Sequence, residues 1–141
     1  MKKVAVVYWS ATGNTEAMAD AVAAGAKDAG AEVTLLAADA FDAGLVSTFD
    51  ALAFGCPAMG AEELESDTFA PLFEDCRPAL AGKRIGLFGS YGWGDGEWMR
   101  NWEADCTAAG AVLAADSVIT QEAPDEAALN SCRALGAALA A

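Results

Sequence analysis

Ser10, Ala11, Thr12, Gly13, Asn14 and Thr15 supply hydroxyls, one side-chain amide and one flexible glycine, with no Lys or Arg among them. The apolar run from Val4 to Trp9 precedes them, and a helix-like stretch follows from Glu16. Backbone N–H groups, hydroxyls and a helix N-terminus together suit a phosphate dianion. A loop that stabilises phosphoryl transfer usually adds a lysine and a metal ion. Neither is visible here, so the chemistry expected is a phosphate held and never transferred. Standing alone, the same six residues would also read as an ordinary polar strand-to-helix turn.

Two more segments stand out, Gly55-Cys56-Pro57-Ala58-Met59-Gly60-Ala61-Glu62-Glu63-Leu64-Glu65 and Gly89-Ser90-Tyr91-Gly92-Trp93-Gly94-Asp95-Gly96-Glu97-Trp98. The glycines flanking Trp93 let backbone approach a ligand while the indole projects. Such an indole suits stacking on a flat aromatic ligand, the alternative being a ring packed on the surface.

The elements that must position these loops alternate strand and helix. Strands are predicted over Lys3–Trp9, Glu32–Leu36, Ala51–Gly55, Arg84–Gly89 and Val112–Val118. Helices are predicted over about Thr15–Ala29, Phe69–Leu80, Glu97–Ala109 and Asp125–Ala140, with a short helix or loop between Phe41 and Phe49. Gly30 and Gly110 fall at helix C-caps, and Pro71 and Pro124 near helix starts. Near-continuous apolar strands linked by helices give an α/β class: a doubly wound, five-stranded parallel sheet in the order 2-1-3-4-5, with helices on both faces. In that order the ends of strands one and three meet at the topological switch point, where ligands bind. All three loops leave the carboxyl edge.

Composition narrows the function. A length of 141 residues is read as a single domain, 1–141. The short basic N-terminus reads as the start of a strand and not as a leader, and the setting expected is cytoplasmic. There is no histidine, which removes Ser-His-Asp and Cys-His nucleophile systems and His-rich zinc sites. The four cysteines form no Cys-x-x-Cys pair, so buried free thiols and no metal site are expected. A net charge of −13 makes nucleic acid and anionic membrane poor partners and favours a basic protein partner.

The three loops resemble those of the short-chain flavodoxins, small FMN-binding electron carriers. Ser-x-Thr-Gly-Asn-Thr at 10–15, Ala-Met-Gly-x-Glu-Glu at 58–63 and Gly-Ser-Tyr-Gly-Trp-Gly at 89–94 carry the resemblance, which covers the whole chain. The last strand has no insertion, as in the short subgroup. The resemblance implies a flavodoxin-like fold and FMN bound tightly without a covalent bond. Ser10, Thr12, Asn14 and Thr15 would hold its phosphate, within a loop that includes Ala11 and Gly13. Trp93 would stack on the outer face of the ring system and Met59 on the inner face, unless Met59 is core filler. Glu62 would accept from the ring N3–H, or else be a solvated carboxylate as Glu63 and Glu65 are expected to be. Pro57, Ala58, Gly60, Ala61, Ser90, Tyr91, Gly92, Gly94 and Gly96 complete the cofactor-binding set. Trp9, Trp98 and Trp102 are expected in the core.

By the same resemblance, the carbonyl of Gly60 would accept from the reduced ring N5–H after its peptide flips, favouring the semiquinone by about 1 kcal/mol. Acidic neighbours, Asp95 and Glu97 among them, would oppose a second negative charge. A low-potential one-electron shuttle between semiquinone and hydroquinone follows. Ala61, where relatives often carry Gly, Asp or Asn, is expected to weaken that stabilisation, since positive φ costs alanine about 1–2 kcal/mol. Pro57 replaces a serine that contacts the phosphate in some relatives. Redox partner proteins, a reductase donor and an acceptor enzyme, are expected to dock on an acidic rim at Glu62–Asp67 and Asp95–Glu97, the carrier itself being a monomer. The competing readings are an FMN-dependent NAD(P)H:quinone oxidoreductase of the same fold and a phosphoacceptor receiver domain.

Overall fold

The computed structural model describes residues 2–60 and 62–141, so the expectations for Ala61 lie outside the described residues. Strand β1 (Lys3–Tyr8) carries Val4, Ala5, Val6 and Val7, all fully buried, because helices cover both sides of it. It pairs in parallel with β2 (Glu32–Ala37) and β3 (Ala51–Gly55), and β4 (Arg84–Tyr91) pairs in parallel with β3. The order is β2-β1-β3-β4-β5, as the sequence predicts.

The fifth position departs from the prediction. Instead of one strand from Val112 to Val118, two short strands pair with β4: β5 (Val112–Leu113) beside Arg84 and Ile85, and β6 (Val118–Gln121) beside Phe88 to Tyr91. Ala114, Ala115, Asp116 and Ser117 span the two β4 positions Gly86 and Leu87, so the chain bulges between them. These small or polar residues have little β propensity, and Ser117 Oγ turns away to donate to Glu103 Oε2 at 2.6 Å. The bulge carries the strand on to Gln121, so its end reaches the edge where the other loops converge.

Side chains alternate across the sheet with period two. Ala5, Val7, Leu52, Phe54, Ile85 and Leu87 face α2 (Phe69–Cys76) and α3 (Glu97–Ala108). Val4, Val6, Ala51, Ala53 and Phe88 face α1 (Asn14–Asp28) and α4 (Glu126–Ala140). Helix α2 is shorter than predicted: Pro78 has no N–H for the α ladder, and the chain continues as a 3₁₀ turn over Arg77–Ala79. Trp98 and Trp102 are buried as expected, while Trp9 is half-buried against the same layer. No helix among the described residues is long and apolar enough to cross a membrane.

Candidate functional site

The first loop closes on itself around Ser10. Its Oγ accepts from the amides of Gly13 (3.1 Å) and Glu16 (3.3 Å), leaving its O–H free to donate outward. Gly13 is the N-cap of α1 at φ +94°, a left-handed position that suits glycine, and it supplies no side-chain cap. Among the described residues the amides of Asn14 and Thr15 therefore have no side-chain cap, and both residues line a cavity of about 430 Å³. Ser10, Ala11 and Thr12 line it too.

The second loop contributes Pro57, Ala58 and Met59 to that cavity, and the third contributes Ser90, Tyr91 and Gly92. The walls are tied together. Thr15 Oγ1 and Ser90 Oγ share a buried hydrogen bond of 3.3 Å, and Ala58 N donates to Ser90 O at 3.0 Å. Met59 and Glu63 exchange backbone bonds of 2.8 and 2.9 Å, which closes the tip of the second loop. Gly60 within that tip has φ +54°, the positive value its position in the turn suggests.

The rest of the predicted set is not in the lining of that cavity. Trp93, next to the lining residue Gly92, is 64% exposed, and Met59, within the lining, is 37% exposed, so both keep apolar surface available. Glu62, at φ +56°, holds its carboxylate against Gly94, where a Cβ would sit 2.4 Å from Oε1. A non-glycine residue held there costs about 1 kcal/mol, and such strain clusters at functional sites. Glu62 Oε1 is buried and has no partner among the described residues. Gly96, at φ +92°, is the N-cap of α3. Asp95 is exposed and paired with Arg100 at 3.0 Å.

Glu122 and Ala123 also line the cavity, and the sequence reading missed them. The signal was present in the turn residues before Pro124, but ending the last strand at Val118 placed that turn away from the edge. Glu122 N donates to Tyr91 O at 2.7 Å, and Gln121 Nε2 to Gly92 O at 3.3 Å, so this fourth segment braces the third loop.

Glu65 is a correction. It is not a solvated carboxylate: only 7% exposed, it accepts from the amides of Asp67 (2.8 Å), Thr68 (2.8 Å) and Phe69 (2.7 Å) at the start of α2. Burial alone would raise its pKa, but the three amides outweigh it and hold the carboxyl below the ordinary glutamate value. Stability from this group is fully present above the unfolded value of 4.5 and is lost as pH falls through the lower folded value. Glu65→Gln is expected to cost about 2 kcal/mol in urea unfolding at pH 7. That gap should narrow as the medium is acidified below pH about 4; a gap independent of pH would contradict the assignment. The acidic rim therefore loses this member.

Cys56, Cys76, Cys106 and Cys132 are free and buried. Burial raises the Cys56, Cys106 and Cys132 thiols to about 12 and Cys76 to about 11, which leaves them inert as nucleophiles.

The sequence model of the family described as Flavodoxin matches residues 6–136. The chain belongs to the flavodoxin family. The flavodoxin of Megasphaera elsdenii is 46% identical over 137 residues, covering 97% of this chain and 98% of its own. That of Clostridium beijerinckii is 43% identical over 122 residues, covering 86% and 88%. The solution structure of two-electron reduced Megasphaera elsdenii flavodoxin superposes with a TM-score of 0.90 at 47% identity, covering 97% of this chain and 98% of that one. Flavodoxins bind FMN and transfer electrons between redox partners, and are not enzymes; this chain is accordingly an FMN-binding electron carrier. The oxidoreductase and receiver readings are not favoured by these likenesses.

Proposed function

We propose that this flavodoxin is a single-domain, low-potential one-electron carrier whose FMN cycles between semiquinone and hydroquinone. One observation carries the reading. The Asn14 and Thr15 amides, without a side-chain cap among the described residues, line one cavity with the partly exposed Met59 and with Glu122, and no lysine lines it.

The residues fit the group. The Ser10 hydroxyl and the amides of Asn14 and Thr15 supply donors for phosphate oxygens, with Ala11, Thr12 and Gly13 shaping the cradle. Pro57 has no N–H, so the second loop offers one donor fewer there. Trp93 and Met59 would hold the flat ring of the cofactor between an indole and a polarizable thioether. Glu62 Oε1, buried and without a partner among the described residues, is an acceptor in want of an N–H, and Gly94 leaves room for its carboxylate. When bound, FMN supplies the capacity to take up and release electrons singly. Around it, Glu62, Glu63, Asp95, Glu97 and Glu122 raise the free energy of added negative charge and so lower the potential for the second electron. Lys2 precedes β1, Lys3 begins it, Lys83 precedes β4 and Lys27 lies in the last turn of α1, all at the opposite edge of the sheet. The cytoplasmic setting belongs to this proposal, with four free buried thiols suited to a reducing compartment.

Titrating the apoprotein into FMN should quench flavin fluorescence at one-to-one stoichiometry, and the complex should not turn over NAD(P)H with quinones. Sustained turnover would transfer the reading to the oxidoreductase.

The partner surface in this proposal is the exposed rim formed by Glu63, Asp67, Asp95 and Glu97. With cytochrome c as a basic acceptor, Glu63→Lys with Asp67→Lys should slow electron transfer about tenfold at low salt. The deficit should nearly vanish by about 0.5 M salt, where the Debye length is only a few ångströms. Equal slowing at both salts would count against docking on this rim.

A further inference from the structure

Trp98 and Trp102 lie one turn apart on α3, both 2% exposed, yet their indole N–H groups are treated oppositely. Trp98 Nε1 donates to the carbonyl oxygen of Cys56 at 3.2 Å in buried surroundings. Trp102 Nε1 is buried with no acceptor among the described residues. The Trp98 ring also packs against Tyr91, centroids 5.4 Å apart and planes inclined by 49°. One indole therefore touches both the residue that begins the Pro57–Met59 wall of the cavity and a residue of the Ser90–Gly92 wall.

We infer that Trp98 is a positioning residue for the FMN site: its bond to the Cys56 carbonyl, with its ring against Tyr91, fixes the spacing of those two walls. The inference rests on the FMN reading above. Pro57 follows Cys56 and has a fixed φ, so rotation of the Cys56 carbonyl passes directly into Ala58 and Met59. The reciprocal bonds between Met59 and Glu63 make the loop tip move with them. At the other end, the Glu65 amide donates to Cys56 Sγ at 3.4 Å, so one residue anchors both ends of the loop. Release of the carbonyl would displace Met59 relative to Tyr91 and Trp93, changing how closely the loop holds a flat ring.

The test compares Trp98→Phe with Trp102→Phe, each losing one indole N–H from the same buried layer. Trp98→Phe is expected to weaken FMN binding at least about tenfold and to shift the midpoint potentials of the bound cofactor. Trp102→Phe should keep the FMN Kd within about twofold and both potentials unchanged, while the apoprotein Tm falls as the smaller ring leaves space against Phe69 and Phe73. If Trp98→Phe lowers only the Tm, or if the two variants change Kd and potentials alike, Trp98 is packing alone and the inference fails. Should Trp98→Phe not fold, β-(3-benzothienyl)alanine at position 98 keeps the ring shape without the N–H, and the same outcomes apply. A wild-type protein that holds no FMN overturns the site reading and this inference together. Wild-type binding with an inert Trp98→Phe overturns the inference alone.

Discussion

Gly89→Ala is expected to weaken FMN binding by about a hundredfold, equivalent to about 2.7 kcal/mol. A Cβ at Gly89 would lie 2.2 Å from the carbonyl oxygen of Cys56 and 3.3 Å from Cζ2 of Trp98. Nothing flexible stands there to give way on the first side, because the obstacle is backbone. The neighbouring Cys56 N–H is held by Phe88 O at 3.1 Å, and Ala58 N–H by Ser90 O at 3.0 Å. Making room for one methyl must therefore break the bond to Trp98 or shear the ends of β3 and β4 apart. Overpacking of this kind costs about 1–3 kcal/mol, and here it falls on the two walls that enclose the cavity. Flavin fluorescence quenching measures it directly. An affinity within about threefold of wild type would mean that the cavity does not depend on this close approach.

The second large effect has the same steric cause and the opposite functional signature. A Cβ at Gly136 on α4 would lie 2.0 Å from the carbonyl oxygen of Val22 on α1, and 2.7 Å from the amide of Ala26. The contact is mutual, since a Cβ at Gly25 would lie 2.0 Å from the carbonyl oxygen of Arg133. The two helices cross backbone to backbone, and an added methyl must separate them along the buried seam of Val22, Ala26, Leu135 and Leu139. Gly136→Ala is expected to lose about 3 kcal/mol of stability. In a chain of this size that lowers the apoprotein Tm by roughly 10 °C. Below that temperature the FMN Kd should stay within about threefold, because the crossing covers part of one sheet face and touches none of the cavity walls. A Tm shift under about 2 °C would show that the helices can part at little cost.

What could be read beforehand follows from where the information resides. Val4–Val7 and the run around Phe88 announced buried parallel strands, because near-continuous apolar residues have few other uses. The polar hydroxyl loop before α1 and the glycines around Trp93 announced the site, because their residue types serve local chemistry. The bulge at residues 114–117 was not legible: Val112 to Val118 reads as one strand until the register against β4 is seen. That one error hid Glu122 and Ala123. Glu65 was misread for a related reason, since an acidic run before a helix looks solvated unless the chain returns to bury it under its own amides. Trp98 was rightly placed in the core, but its acceptor is 42 residues away in sequence, and no local pattern indicates it.

The central claim is one-electron carriage by FMN held between the loops of the carboxyl edge. Anaerobic titration of the FMN complex with dithionite, followed in the visible spectrum, tests it most directly. The account expects two separated one-electron steps, with a long-wavelength band rising to a maximum at half reduction and then decaying. A single two-electron bleach with no such band, or no retained FMN to reduce, would contradict it.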